Sequence, residues 1–366
     1  MAGNTFGKLL QITTFGESHG TSIGGILDGV PSGLTIDIEA IQSELNRRRP
    51  GTSHLTTSRK EQDIIEIHSG VLKNEDDNLI SIGTPIGFGI VNKDAKSKDY
   101  SYLDNSFRPS HADYTYEAKY GLRDIRGGGR SSARETACRV VGGAIAKQLL
   151  FAVNKVEVSA YVERVQDISV PFPPAFFETS VIDENIVRCP SKETADRMIN
   201  RIEEVKNAGD TVGGAIVVVA KNVPSGWGEP VFDKLEADLA KALMSIPAVK
   251  GIEVGSGFSG SLMKGSEHND AFSTDSNGEV ITETNRSGGI QGGISNGEEI
   301  ILRIGFKPVS TIKKEQNTVN RDSEKTTISG KGRHDPCVLP RAVPIVEAMV
   351  ALVLGDHMLR QRSARL

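Results

Sequence analysis

Twelve residues, Arg123–Arg134, read R-D-I-R-G-G-G-R-S-S-A-R and constrain this chain more than any other stretch. Four arginines, three consecutive glycines and two serines crowd together there. Glycine lets backbone N–H groups turn toward a ligand with no side chain in the way. Ser132 and Glu135 have the S-x-x-E spacing of a capping box, which predicts a helix start at that point. Ala137, Val141, Ala144, Ile145 and Leu149 then give the helix an apolar face. A helix N-terminus beside several guanidinium groups is an anion site. The stretch is therefore the expected seat of phosphate or carboxylate groups.

The charge balance narrows the ligand. A net charge of −4 argues against a general nucleic-acid binder, which needs a basic face to displace counterions. The arginines are instead concentrated at Arg47–Arg49 and Arg123–Arg134, which suits a small anion. With 25% charged and 37% hydrophobic residues the chain is globular. Its 366 residues allow one large domain or two ordinary ones. Three cysteines (Cys138, Cys189, Cys337) without a C-x-x-C pair indicate neither a disulfide framework nor a zinc ribbon. No metal site is expected, since H-x-x-H and H-E-x-x-H spacings are missing. The opening MAGNTFGKLL lacks a signal-peptide core and no apolar run reaches membrane-spanning length, so a cytoplasmic location is expected.

Along the chain, strands are predicted at Lys8–Phe15, Gly24–Val30, Ile64–Val71, Pro85–Val91, Lys155–Ile168, Gly213–Val223 and Glu299–Phe306. Asp37 caps a predicted helix that Pro50 stops, with Arg47, Arg48 and Arg49 in its last turn; these either bind ligand or merely complement the dipole. Further helices are predicted at Tyr114–Tyr120, from Ser191 to about Ala208, after Asp233, and over Val343–Leu359 with Pro344 in its first turn. Gly51–Lys60 reads as a polar, irregular segment, Lys93–Arg108 as a loop, Lys313–Lys331 as polar, and Asn277-Gly278 as a hairpin turn. The order GG, strand, V-P-S-G, acidic-capped helix occurs at Gly24–Leu45 and again from Gly213. Either the chain carries an internal duplication or a common turn has recurred by chance.

Gly255–Gly260 matches G-x-G-x-x-G, yet Ser261–Asp270 has no helical periodicity, which argues against a dinucleotide fold. Gly128–Ala133 resembles the Gly-Ser-Ser-Ala phosphate loop of small-molecule kinases, so a metabolite kinase is one alternative. An RNA-binding module is another, disfavoured by an aromatic content of 5%. Among seven histidines, His19 and His111 lie in loops, where each is a general-acid candidate or a hydrogen-bonded structural imidazole. Asp335 is a third proton carrier or a solvated turn residue. The residues alone point to an enzyme that handles a phosphorylated, carboxylated small molecule.

Gly16–Gly20 with Asp28–Pro31, then Arg47–Thr52, Gly127–Arg134, and Gly332–Val338 with Ala342–Glu347 occur in one order along the whole chain. Together these blocks resemble the chorismate synthase family. The resemblance implies an α+β fold, a β-α-β sandwich of two pseudo-symmetric halves forming a single domain over residues 1–366. It implies a lyase, EC 4.2.3.5, that converts 5-enolpyruvylshikimate 3-phosphate to chorismate by 1,4-trans elimination of phosphate. That reaction ends the shikimate pathway to the aromatic amino acids and needs reduced FMN, without net redox change.

By position, the resemblance makes His19 the proton donor to the departing phosphate and His111 the group that stabilises reduced flavin at N1. Asp335 relays, with flavin N5, the proton lost from C6, and Ser18 and Ser132 support those relays. Arg48, Arg108, Arg134 and Arg341 are the expected phosphate and carboxylate clamps. Arg130, Ser131, Ser132, Gly292, Lys307, Pro308, Val309, Ser310, Thr311 and Arg333 are expected to hold the flavin. Two positions depart from the family pattern. His54 stands where arginine is frequent, reaches less far and is only partly charged near neutrality. Pro247, before Ala248, stands where some relatives have asparagine, so binding there is limited to its carbonyl or to packing. The resemblance also implies a homotetramer. No insertion suggests a built-in reductase, so a separate flavin reductase is the expected source of FMNH2, with NADPH only an indirect reductant.

Overall fold

The computed structural model describes residues 3–51, 53–56, 61–93, 104–330 and 334–365. Parts of the predicted polar segments 51–60, 93–108 and 313–331, together with Gly332 and Arg333, lie outside the described residues.

The first half runs β1 (Thr5–Phe6), β2 (Gln11–Gly16), β3 (Ser22–Asp28), α1 (Ile38–Arg48), β4 (Ile65–Ile67), β5 (Val71–Lys73), β6 (Leu79–Ser81), β7 (Ile86–Val91), α2 (Asp113–Tyr120) and α3 (Thr136–Asn154). The second runs β8 (Glu157–Val165), β9 (Ile168–Ser169), α4 (Thr179–Ile182), α5 (Lys192–Asn207), β10 (Gly214–Lys221), α6 (Leu235–Met244) and β11 (Val249–Val254). It continues with α7 (Gly257–Gly260), α8 (Gly265–His268), the short strands β12 (Phe272–Thr274), β13 (Val280–Thr282), β14 (Ile290–Gln291) and β15 (Ile294–Ser295), and β16 (Ile300–Phe306). Last come β17 (Glu315–Val319), β18 (Lys325–Ser329) and α9 (Leu339–Gln361).

Each half builds a five-stranded antiparallel sheet, ordered β1-β2-β3-β7-β4 in one and β9-β8-β10-β16-β11 in the other. Between the sheets lies a helical layer: α3 packs on β2 and β3, α9 packs on β8 and β10, and the two helices pack on each other. The molecule is an α+β protein.

Sequence dictates this layering. Buried positions of β10 are continuous, Ala215–Ala220, as expected of a strand covered on both faces. Helix α9 is buried from Leu339 through Met358 except at Arg341, as a helix apolar on nearly all sides must be. Helices α3 and α9 are both long and apolar enough to cross a membrane, which corrects the reading that no run reaches that length. Their apolar windows are 67% and 94% buried inside the protein, as core helices are. Where they meet, a Cβ on Gly143 would stand 2.3 Å from the Ala348 Cα, so only glycine allows the approach.

The two V-P-S-G turns carry one hydrogen-bond pattern. After β3, Ser81 Oγ donates to Pro31 O (2.6 Å) and accepts from Leu34 N (3.0 Å), while Gly33 N donates to Ser81 O. After β10, Ser295 Oγ donates to Pro224 O (2.6 Å) and accepts from Trp227 N (2.9 Å), while Gly226 N donates to Ser295 O.

Three local expectations need correction. Ser132 does cap the 3₁₀ turn Ala133–Glu135 that leads into α3, but Glu135 does not return the bond. Its carboxylate is taken by Thr14 Oγ1 (2.9 Å) and Arg139. Asp233 does not cap α6; it pairs with Lys8 and Arg360. Helix α9 begins at Leu339, which leaves Pro344 inside it. A proline there lacks the N–H that would reach back four residues, and the Arg188 guanidinium binds the Pro340 carbonyl instead. The segment 313–331 also forms a hairpin, β17–β18. No apolar alternation announces it, since Glu315, Asn317 and Val319 are all exposed.

Candidate active site

A cavity of about 450 Å³ opens where four helix ends converge, within the size range of small-molecule sites. The first turns of α3 (Thr136, after Ala133 and Arg134) and of α9 (Arg341, Ala342) line it. So do the C-terminal end of α1 (Arg48, Pro50) and the residues after α6 (Ile246, Pro247, Ala248). Connector 108–134 adds Arg108, Ser110, His111, Gly127, Ser131 and Ser132. Connector 307–338 adds Lys307, Pro308, Val309, Ser310, Thr311, His334 and Asp335. Two helix N-termini facing one space favour negative charge in it.

Three guanidinium groups form the deep wall. Arg48 is fully buried, donating from Nη1 to Arg134 O (3.2 Å), and its Nη2 stands 3.7 Å from Asp63. Arg134 binds Asp63 through Nη1 and donates from Nε to Asn92 Oδ1 at 2.9 Å. Arg341 donates from Nε to Arg48 O (3.2 Å) and pairs with Asp335 through Nη1. Burial lowers the Arg48 pKa to about 10, helped by the positive charges of Arg341 and Arg134 and opposed by Asp63. For Asp63, burial pushes upward, but Arg48 and Arg134 outweigh it and hold its carboxyl below the ordinary range. Arg48 Nε and Arg134 Nη2 are buried and make no hydrogen bond. Arg134 Nη2 lies 3.9 Å from Glu61 Oε2, and both nitrogens are shielded from the cavity, so what the wall offers an anion is the charge of its three guanidinium groups.

His111 stands on the opposite rim. Its Nδ1 lies 2.8 Å from Asp113 Oδ1 and 3.1 Å from Arg108 Nη2. An ionised carboxylate cannot donate, so Nδ1 carries a proton donated to Asp113 at the expense of the longer Arg108 contact, and Nε2 is the free lone pair of the neutral ring. Burial, with the Arg108 and Lys307 charges, outweighs Asp113 and keeps the His111 pKa below its ordinary 6.5. Asp113 is itself held far below the carboxylate range: burial opposes this, but the Arg108 and His111 bonds prevail. Arg108 grips Asp113 with two parallel bonds of 2.8 Å, and Arg123 adds a second cation at 3.4 Å.

His19 is buried behind the wall, its Nδ1 3.0 Å from Ser18 Oγ. Ser18 Oγ also bonds Gly127 O at 3.2 Å. A Cβ on Gly127 would lie 2.3 Å from His19 Cε1, so the ring packs directly on a glycine that lines the cavity. On the outer side Lys307 Nζ donates to Ser110 O and Ser310 Oγ, each at 2.8 Å.

A chorismate synthase family profile matches residues 10–359. The chain belongs to the chorismate synthase family. It is 59% identical to the chorismate synthase of Trichormus variabilis over 361 residues, covering 99% of this chain and 98% of that relative. It is 58% identical to that of Prochlorococcus marinus, again over 361 residues. A crystal structure of a chorismate synthase superposes with a TM-score of 0.74 at 28% identity, covering 98% of this chain and 94% of the other. Family membership displaces the kinase and RNA-module alternatives.

Against that family the expected residues sort by place. Arg48, Arg108, Arg134, Arg341, His111, Asp335, Ser131, Ser132, Pro247, Ala248 and Lys307–Thr311 line one cavity. Ser18 and His19 back onto it through Gly127. Three others are not in its lining. Arg130 reaches to β2, bonding Thr14 and Gly16 carbonyls. Gly292 sits in the β14–β15 turn, and the largely exposed His54 pairs with Glu203 at 2.8 Å. Of the arginines at 123–134, only Arg134 lines the cavity; Arg126 is exposed on Asp124. Sequence reasoning missed Glu61, Asp63 and Asn92, which orient Arg134. Nothing near residues 61–63 forms a motif that would have revealed them.

Proposed function

We propose that this chain is a chorismate synthase, a lyase that eliminates phosphate from 5-enolpyruvylshikimate 3-phosphate to give chorismate. Family membership supports the reaction, and one observation carries its placement: the guanidinium groups of Arg48, Arg134 and Arg341 together in one cavity lining. A substrate with a phosphate ester and two carboxylates carries the negative charge that such a cluster of guanidinium groups binds.

The cavity also fits a flavin. Ile246, Pro247, Ala248, Phe306, Pro308 and Val309 give an apolar wall for a flat ring, with Lys307 and the Ser131 and Ser310 hydroxyls available for polar edges. When bound, reduced FMN supplies electron density against the substrate ring with no net redox change. Arg48, Arg134 and Arg341 bind the anionic groups and stabilise charge on the leaving phosphate. His19, held by Ser18, delivers a proton toward that phosphate as the C3–O bond breaks. Asp335, oriented by Arg341, receives the proton lost from C6. His111 presents neutral Nε2 to the cavity because Asp113 fixes the proton at Nδ1. With the reading come its attendant expectations: a homotetramer in the cytoplasm, supplied with FMNH2 by a separate reductase.

The test is anaerobic. Parent chain, substrate and dithionite-reduced FMN are mixed and chorismate absorbance is followed. Turnover is expected with reduced FMN and not with oxidised FMN. His19→Ala and His111→Ala are each expected to lose about a hundredfold or more in rate, the usual worth of a positioned acid or base. No turnover by the folded parent chain overturns the reading, and an unimpaired variant removes that histidine from the mechanism.

A further inference from the structure

Adjacent residues of α1 have opposite surroundings. Arg48 faces the cavity, whereas Arg47 points into a buried ionic cluster outside the cavity lining. At its centre is Glu347 of α9, with no exposed surface. Its Oε2 accepts from Arg47 Nη1 (2.7 Å) and Lys147 Nζ (2.6 Å), and its Oε1 from Arg47 Nη2 (3.2 Å) and Ala160 N (3.0 Å). Arg47 Nε continues to Asp183 Oδ2 (2.8 Å), whose Oδ1 accepts from Arg188 Nε (2.8 Å). Arg188 in turn binds the Pro340 carbonyl. The next residue is Arg341, whose Nε donates to Arg48 O at 3.2 Å.

These bonds close a ring. It leaves α9 at Glu347, crosses α1 at Arg47, passes through Asp183 and Arg188, and re-enters α9 at Pro340. Two of the cavity arginines, Arg48 and Arg341, are sequence neighbours of ring members. By taking the carbonyl that Pro344 leaves open, Arg188 ties the ring to the helix turn that carries Arg341.

Resting on the chorismate synthase reading above, we infer that Glu347, Asp183 and Arg188 are positioning residues: their ring fixes the separation of Arg48 and Arg341, and so the grip on the substrate's anionic groups. None of the three lines the cavity. Their effect passes through the ends of α1 and α9.

The experiment compares Glu347→Gln, Asp183→Asn and Arg188→Met with the parent chain and with Ile202→Val, a core change on α5. Three quantities are measured: melting temperature, affinity for inorganic phosphate by calorimetry, and kcat and KM with reduced FMN. Phosphate affinity is expected to fall and KM to rise by about three- to thirtyfold in the ring variants, the usual range for residues that modulate a site without touching it. Asp183→Glu is expected to recover part of the loss. Ile202→Val lowers the melting temperature and leaves both quantities at parental values. Should Glu347→Gln fail to fold, Asp183→Asn and Arg188→Met decide, since both lie nearer the surface.

Ring variants that melt earlier yet bind phosphate and substrate as the parent does would reduce the cluster to a stability element and overturn the inference. So would a parent chain with no affinity for phosphate. A parent that binds phosphate but makes no chorismate sinks the proposed reaction while leaving the positioning result to stand.

Discussion

The two halves of the molecule bring corresponding pieces to the cavity but fill them with opposite chemistry. The helix after the first V-P-S-G turn, α1, ends in Arg48 and Pro50; the helix after the second, α6, is followed by Ile246, Pro247 and Ala248. The strand–helix connector of the first half supplies His111, Ser131, Ser132 and Arg134, and that of the second supplies Lys307–Thr311 and Asp335. One wall is therefore cationic, with Arg341 of the second half joining it, and the other largely apolar. Such a seam can hold an anion on one side and a flat ring on the other. Matching turns, the same order of four strands in each sheet (β2-β3-β7-β4 and β8-β10-β16-β11) and a long buried helix closing each half support the proposal that the chain is a duplicated unit within one domain. Its symmetry lies in the scaffold and its asymmetry in the side chains that meet.

The comparison breaks first at its charged wall. Arg134→Met strips the Asp63 carboxylate of its closest cation and removes an anion donor. A loss of about a hundredfold or more in kcat/KM is expected, measured as chorismate formation. Val309→Ala on the apolar wall is expected to weaken FMN binding by only about tenfold, measured by fluorescence titration, since one or two buried methyl groups carry about 1–2 kcal/mol. Equal losses from the two changes would mean that the walls do not divide the work.

Matching scaffolds should fail alike. Ser81→Ala and Ser295→Ala each strand a buried N–H and a proline carbonyl. Each is expected to cost about 1–3 kcal/mol in urea unfolding, with the two losses agreeing to within about 0.5 kcal/mol. A large loss from one and none from the other would argue that only one turn is structural.

Acid offers a third probe. Burial raises the Glu347 pKa, but Arg47 and Lys147 overcome it and bring the folded value from 4.5 down to about 2. The unfolded chain then binds the proton first, so the stabilisation is full above about pH 4.5 and is lost as pH falls toward about 2. Glu347→Gln is expected to flatten that part of the stability–pH curve. On the rim, Asp113 raises the His111 pKa against burial. Asp113→Asn is therefore expected to move the His111 midpoint further below 6.5, followed by NMR. The smallest effect is reserved for His54→Ala, since an exposed pair contributes about 0–1 kcal/mol. Its substrate KM is expected to stay within about twofold of the parent.

Much of the scaffold was legible because burial writes itself into periodicity. The Asp37 and Ser191 caps, the apolar face of α3 and the Asn277-Gly278 turn all follow local rules that the structure obeys. What escaped depended on distant partners. The triplet Arg47–Arg49 cannot show that one guanidinium enters a buried cluster and the next a cavity; a 100° step per helical residue sends them apart. Asp233 reads as a cap until Lys8 and Arg360 claim it. Pro344 reads as a first-turn residue because nothing local reveals that Arg188 will take the carbonyl it leaves open. Asp63 had no motif, and its position opposite Arg48 and Arg134 exists only once the chain has folded.

The bare backbone at Gly143, pressed on Ala348, gauges the gap between the halves. A methyl group there would act as a shim between α3 and α9, and the tilt it forced would spread the mouths of both helices around the anion. Substrate grip would then be lost from a position that no ligand ever meets.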